Sequence, residues 1–200
     1  TEKDALLGVS MTGIASEEVL KLNFEEAAEC SVIENKWVAG LIGINTAARN
    51  TCVKPAGTTS LVLGSSSGIH AWHNDYYIRR MRLGKNESLY KYLKAVLPEG
   101  FLEDEFFNPE GQAVLSMPQK APKGAITRDE SAIDLLERVK KISKEWIKPT
   151  HVDGANTHNV SCTVTIKPEE WKIVGEWMWV NKDYYNGLSV LPQDGGTYKQ

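Results

Sequence analysis

Runs of period two alternate, four or five times along the chain, with runs of helical period, and this alternation leaves few folds open. The clearest strand is marked by Val160, Cys162, Val164 and Ile166 alternating with Ser161, Thr163 and Thr165. Leu7, Val9 and Met11 alternate with Gly8, Ser10 and Thr12, which predicts another strand over 6–14 closed by Gly13 and Ser16. Ser16 then caps a helix with Glu17 and Glu18 in its first turn, and Leu20, Phe24, Ala27 and Ala28 carry it, with or without a break, to about Leu41. Gly40 and Gly43 loosen that helix before a strand begins at Val53.

Further on, the spacing predicts a helix over 87–97 stopped by Pro98 and a short strand over 113–117 stopped by Pro118. Ala132, Leu135, Leu136, Val139, Ile142 and Trp146 mark a third helix. Pro168, Glu169 and Glu170 start a fourth, with Trp171, Val174 and Met178 on its packing face. Leu188 to Leu191 reads as a last strand, ended by Pro192 and an Asp194-Gly195-Gly196 turn, and residues 98–111 and 118–130 read as loops. The layout is α/β with some parallel pairing, for which a barrel and an open sheet both fit. No repeat or composition shift divides the chain, so one domain, or part of one, is expected.

Two hundred residues with 42% hydrophobic content suffice for a sizeable core. A net charge of −3 gives no general footprint for a nucleic acid polymer, so any anion must be bound locally. No apolar run approaches the roughly 20 residues of a membrane span, and no signal peptide is visible, which places the protein in the cytoplasm. Cys30, Cys52 and Cys162 lie far apart, indicating reduced thiols rather than a disulfide framework or zinc site. The chain opens at Thr1 and closes at Gln200 just past a glycine turn, and it reads as a fragment of a longer polypeptide.

The chemistry-bearing stretch is Lys54-Pro55-Ala56-Gly57-Thr58-Thr59-Ser60. Gly57 has no Cβ and lets backbone amides approach an anion, Thr58, Thr59 and Ser60 offer hydroxyl donors, and Lys54 adds positive charge. The stretch is not a Walker-type loop, and an ordinary tight turn is the competing reading. Gly64 to Gly68 reads as a plain small-residue loop. His70 with His73, and His151 with Asp153 and His158, lack a converging third or fourth ligand, so no metal is assigned. Arg79, Arg80 and Arg82 read as a solvated basic face in preference to an anion clamp. The tryptophans read as packing rather than base-stacking groups, and each cysteine as core filling.

Taken with Ser66-Ser67-Gly68-Ile69-His70 and Tyr76-Tyr77-Ile78-Arg79-Arg80, the 53–60 stretch resembles the catalytic subunit of ribonucleotide reductases, above all the adenosylcobalamin-dependent class II branch. Leu7 to Gly13 resembles a barrel strand upstream of this loop, and Asn186 to Pro192 with Asp194-Gly195-Gly196 a stretch near the end of that catalytic domain. The resemblance implies that residues 1–200 are a partial catalytic domain, the C-terminal half of a ten-stranded α/β barrel. It implies substrate phosphate binding by Ala56, Gly57, Thr58, Thr59 and Ser60, with adenosylcobalamin as the cofactor of the complete enzyme. The implied partners are a ribonucleotide, the upstream half of the enzyme and a dithiol reductant such as thioredoxin.

In that family a thiyl radical on an Asn-x-Cys-x-Glu loop starts the reaction. None of the three cysteines stands in such a pattern, so no catalytic residue is assigned here and the isolated chain is expected to be inert. The rival readings are a nonenzymatic nucleotide-binding module and an assembly fragment with exposed apolar edges.

Overall fold

The computed structural model describes residues 2–193. In chain order its elements are β1 (Val9–Ser10), α1 (Glu17–Leu20), α2 (Phe24–Ile42), β2 (Thr51–Cys52), α3 (Gly57–Leu63), β3 (Tyr76–Gly84), α4 (Ser88–Val96), β4 (Leu102–Asp104), β5 (Gln112–Lys120), α5 (Ala132–Ile142), β6 (Thr163–Ile166), α6 (Trp171–Val180) and β7 (Ser189–Pro192). They form two compact units, one of residues 2–72 and 124–193, the other of residues 73–123. The expected Asp194-Gly195-Gly196 turn lies outside the described residues.

The first unit carries the parallel pairing. β1 pairs with β2 through Val9↔Thr51 and Ser10↔Cys52, and β6 pairs with β7 from Thr163↔Ser189 to Ile166↔Pro192. Just past β2, Val53 bridges Val160 in parallel, donating to Asn159 O and accepting from Ser161 N. These strands do not close into a barrel among the described residues.

β1 is shorter than the predicted 6–14 strand because the backbone beyond it bonds elsewhere. Gly13 N donates to Ser66 O at 2.9 Å and Ile14 N to Gly68 O at 3.0 Å, so this stretch serves a loop instead of a ladder. The expected helix after Ser16 breaks after Leu20. Ser16 makes no side-chain cap, whereas Asn23 accepts the Glu26 amide and starts α2, which ends at Gly43 with φ +73°.

α5 shows how sequence dictates packing. Ser131 and Asp134 form a reciprocal capping box, and Leu135, Leu136, Val139 and Ile142 then repeat on one buried face. The helix runs on through a π turn, Ser143–Ile147, which brings Trp146 into the core, its indole N–H donating to Cys52 O at 3.1 Å. This face meets Val160, Cys162, Val164 and Ile166, the inward set of the expected alternation. Each fully buried aliphatic side chain there contributes about 1.5–3 kcal/mol. On α6 the buried pair is Val174 and Trp177; Trp171, expected on the packing face, is 46% exposed.

The second unit is an antiparallel sheet of order β3-β5-β4 with α4 in the connection. β3 and β5 pair over nine residues, from Tyr76↔Lys120 to Gly84↔Gln112. β5 therefore passes through Pro118 instead of stopping there. Ser116 N points to Phe101 O on the β4 side, and the pleat turns the nitrogen of Pro118 to that same side, beyond the last β4 pair at Leu115. A residue without an N–H loses no ladder bond at such an open edge. β4 itself lies inside the stretch read as a loop.

Candidate functional site

Ala56 to Ser60, expected as a turn, open helix α3. Ala56 is its N-cap, Ser60 N donates to Ala56 O at 3.0 Å, and the buried Ser60 hydroxyl donates to Gly57 O at 3.2 Å. The Thr-Thr-Ser run that suggests a turn is also compatible with a first helical turn, where hydroxyls bond backbone locally. Gly57, Thr58 and Thr59 are exposed, and their amides belong to the group that no helix can satisfy internally. A Cβ at Gly57 would meet nothing within 4 Å. Lys54 is exposed three residues earlier, its own amide donating to Ser10 Oγ at 3.1 Å.

A strap made of residues 65–70 fixes this segment from behind. Ser67 Oγ accepts the Ala56 amide at 2.9 Å. Thr12 Oγ1 donates to Ser66 O at 2.8 Å and accepts from Gly68 N at 2.9 Å. Gly68 has φ +57°, and a Cβ there would sit 2.6 Å from Lys54 O, so the strap can lie this close only with glycine. Thr12 and Ser67 escaped the sequence reading; the local signal for Ser67 was its place in a Ser-rich loop, and nothing local marked Thr12.

The remaining candidates fall elsewhere. His70 bonds Ser67 O and Thr163 N, His151 bonds Gly154 O at 2.8 Å, and His158 bonds Thr51 O at 2.9 Å. Among the described residues no group of His, Cys, Asp or Glu converges as a metal site. Arg80 pairs with Glu103, and Arg82 with the buried Glu105 at 3.2 Å, so two of the three arginines are engaged across the sheet. Cys52 and Cys162 are buried, while Cys30, expected in the core, is exposed on α2. Burial pushes the Cys162 thiol up to about 11 and raises Cys52 as well, against the opposing effects of Lys54 and Ser10.

A cavity of about 350 Å³ in the second unit is lined by Tyr90, Lys94, Leu97, Glu99 and Glu103 among others. One of about 140 Å³ in the first is lined by His70, Arg128, Glu130, Thr163 and Thr165 among others. Residues 56–60 line neither. No helix among the described residues is long and apolar enough to cross a membrane.

The chain is 26% identical over 159 residues to an adenosylcobalamin-dependent ribonucleoside-triphosphate reductase of Levilactobacillus brevis, a match covering 80% of the chain and 20% of that enzyme. It is 27% identical over 216 residues to a probable enzyme of the same name from Dictyostelium discoideum, and 26% identical over 204 residues to one from Euglena gracilis. Each of these two matches covers 97% of the chain and 26% of the relative. The crystal structure of a B-12 dependent (class II) ribonucleotide reductase superposes on all of the chain and 31% of its own, with a TM-score of 0.77 and 22% identity. No protein-family model matches. Homologues named as adenosylcobalamin-dependent reductases thus cover this chain, which corresponds to a part of them and has a ribonucleotide-reductase-type α/β fold.

Proposed function

We propose that this chain is one part of the catalytic barrel of an adenosylcobalamin-dependent ribonucleotide reductase, the part that holds the substrate's phosphates while the rest of the enzyme supplies the radical chemistry. Similarity to such reductases along 80–97% of the chain carries the reading. In this reading β1, β2, β6 and β7 belong to the C-terminal half of a ten-stranded barrel, and residues 1–200 are a partial catalytic domain. The complete enzyme reduces ribonucleotides to deoxyribonucleotides in the cytoplasm, drawing electrons from a dithiol reductant such as thioredoxin.

Ala56 to Ser60 act with a division of labour. The amides of Gly57, Thr58 and Thr59 and the two threonine hydroxyls face the phosphate, with Lys54 as the nearby cation. Ala56 and Ser60 hold the helix start, since the amide of one and the hydroxyl of the other already have partners. The segment orients the nucleotide, converting part of the binding free energy into a fixed position for the ribose.

Neither of the cavities described above, of about 350 and 140 Å³, is large enough to enclose adenosylcobalamin. Cobalamin is therefore assigned to the complete enzyme, and no step is routed through it here.

Titrating ATP into the ¹⁵N-labelled chain tests the site. Amide shifts centred on Gly57, Thr58 and Thr59 are expected; shifts elsewhere, or none at millimolar ATP, refute phosphate binding at this segment. With adenosylcobalamin and a dithiol the chain alone should not turn over.

A further inference from the structure

α2 carries two apolar faces, and only one of them is used. Phe24, Ala28 and Ala39 are buried, and on the same side Ser31 O accepts from Asn50 Nδ2 and Asn35 Oδ1 accepts the Ala47 amide. At 3.6 residues per turn, Ile33, Trp37 and Leu41 fall within an arc about 80° wide, centred about 170° from that buried face. All three are more than half exposed, as is Ile44 just beyond the helix. Gly40 lies about 20° beyond the edge of that arc, and a Cβ there would meet nothing within 4 Å, so the helix backbone beside the stripe is open to close approach. Glu26 falls on this arc one turn into the helix, so the exposed apolar stripe belongs to the part of α2 from Ile33 onward.

We propose that this outer face of α2 is a docking surface for another segment of the complete reductase, one whose apolar side is rimmed by basic residues. The inference rests on the reading of the chain as one part of a longer enzyme. Two observations select this occupant. The chain spans only 20–26% of the reductases it resembles, so most of an enzyme of that length lies outside it. The charged residues of α2 are Glu25, Glu26, Glu29 and Glu34 against Lys36 alone, a rim that attracts a basic partner and gains nothing from a second acidic copy of itself. Trp37, central in the stripe, is the expected anchor.

The test uses Trp37→Asp, which changes an exposed side chain and leaves the core intact. The probe is the polypeptide that supplies the remaining reductase residues in the chain's own source, encoded in the same reading frame or beside it. Wild-type chain should sediment as a monomer and bind this probe, and Trp37→Asp should weaken binding at least about 30-fold. Equal binding by both chains overturns the docking face while leaving the proposed function in place. A dimer of the chain alone that Trp37→Asp dissolves makes a second copy the occupant and overturns it too. If the source encodes no such polypeptide, or it does not bind either chain, both the docking face and the reading of the chain as a reductase part fall.

Discussion

His70 Nε2 accepts the amide hydrogen of Thr163 at 3.0 Å, which joins the loop after α3 to the first residue of β6. With Nε2 as acceptor, the ring proton sits on Nδ1 and goes to Ser67 O at 3.1 Å. One neutral imidazole thus links β6 to the strap that holds Ala56. His70→Ala leaves the Thr163 amide without a partner, while Ser67 O keeps the residue-70 amide at 3.0 Å, and the loss should cost about 1–3 kcal/mol. Urea unfolding monitors the loss, and amide exchange at Thr163 should accelerate. An unchanged midpoint with unchanged exchange would show that the link is not used.

Arg138 is buried on α5 and bonds Glu130 through its two terminal guanidinium nitrogens, each at 2.7 Å, with side chains 5% and 11% exposed. Its Nε–H adds a longer bond to Ile69 O. Removing one partner strands a charge, so Glu130→Ala should destabilise by about 3–5 kcal/mol. The double change Arg138→Met with Glu130→Leu should cost much less, because no unpaired charge remains. A double-mutant cycle on thermal unfolding separates the two cases; equal losses would show that desolvation does not dominate here.

These two links also mark where sequence reading succeeds and where it stops. The stripe from Ala132 to Trp146 repeats every three or four residues and the inward set Val160 to Ile166 every two, so both could be read directly, while the Ser131–Asp134 box, also a local pattern, was passed over. The partners of His70, Thr12 and Ser67 lie 93, 56 and 11 residues away or are backbone atoms, so no local pattern announces them. β5 was cut short at Pro118 because the cost of proline depends on which edge its nitrogen faces, a property of the sheet. Trp171, expected on the packing face, is 46% exposed, while Trp177 is buried with its indole N–H donating to Glu137 at 2.6 Å, a partner 40 residues away that no local pattern announces. The segment proposed to bind phosphate was legible as composition, whereas the Ser67 hydroxyl that accepts the Ala56 amide at its helical start lies 11 residues away.

The thiols give a pH prediction with a definite sign. Cys162 is held protonated by burial, its value raised from 9.0 to about 11. A raised value in the folded state means that the unfolded chain releases this proton first, so the associated stability is complete below pH 9 and is lost as the pH climbs toward 11. Cys162→Ser or Cys162→Ala should flatten that alkaline fall in the unfolding midpoint. In native protein at neutral pH, iodoacetamide should modify Cys30 alone, with Cys52 and Cys162 reacting only after denaturation. Rapid native labelling of Cys162 would contradict its burial.

Gly57 and Gly68 separate binding from stability within a dozen residues. At Gly68 the backbone has φ +57° and an added methyl would lie 2.6 Å from Lys54 O, a backbone atom that cannot swing away. Gly68→Ala therefore combines left-handed strain of about 1–2 kcal/mol with a clash, and should unfold at clearly lower denaturant. At Gly57 an added methyl meets nothing within 4 Å, and alanine is the better helix residue by roughly 0.5–1 kcal/mol. Gly57→Ala should thus match or slightly exceed the wild-type midpoint. If phosphate approaches the amides of Gly57, Thr58 and Thr59, the same methyl stands in its path and ATP affinity should drop several-fold without any loss of stability. Unchanged ATP affinity in a stable Gly57→Ala chain would mean that the anion does not approach this helix start, because no other group occupies the space that the methyl enters.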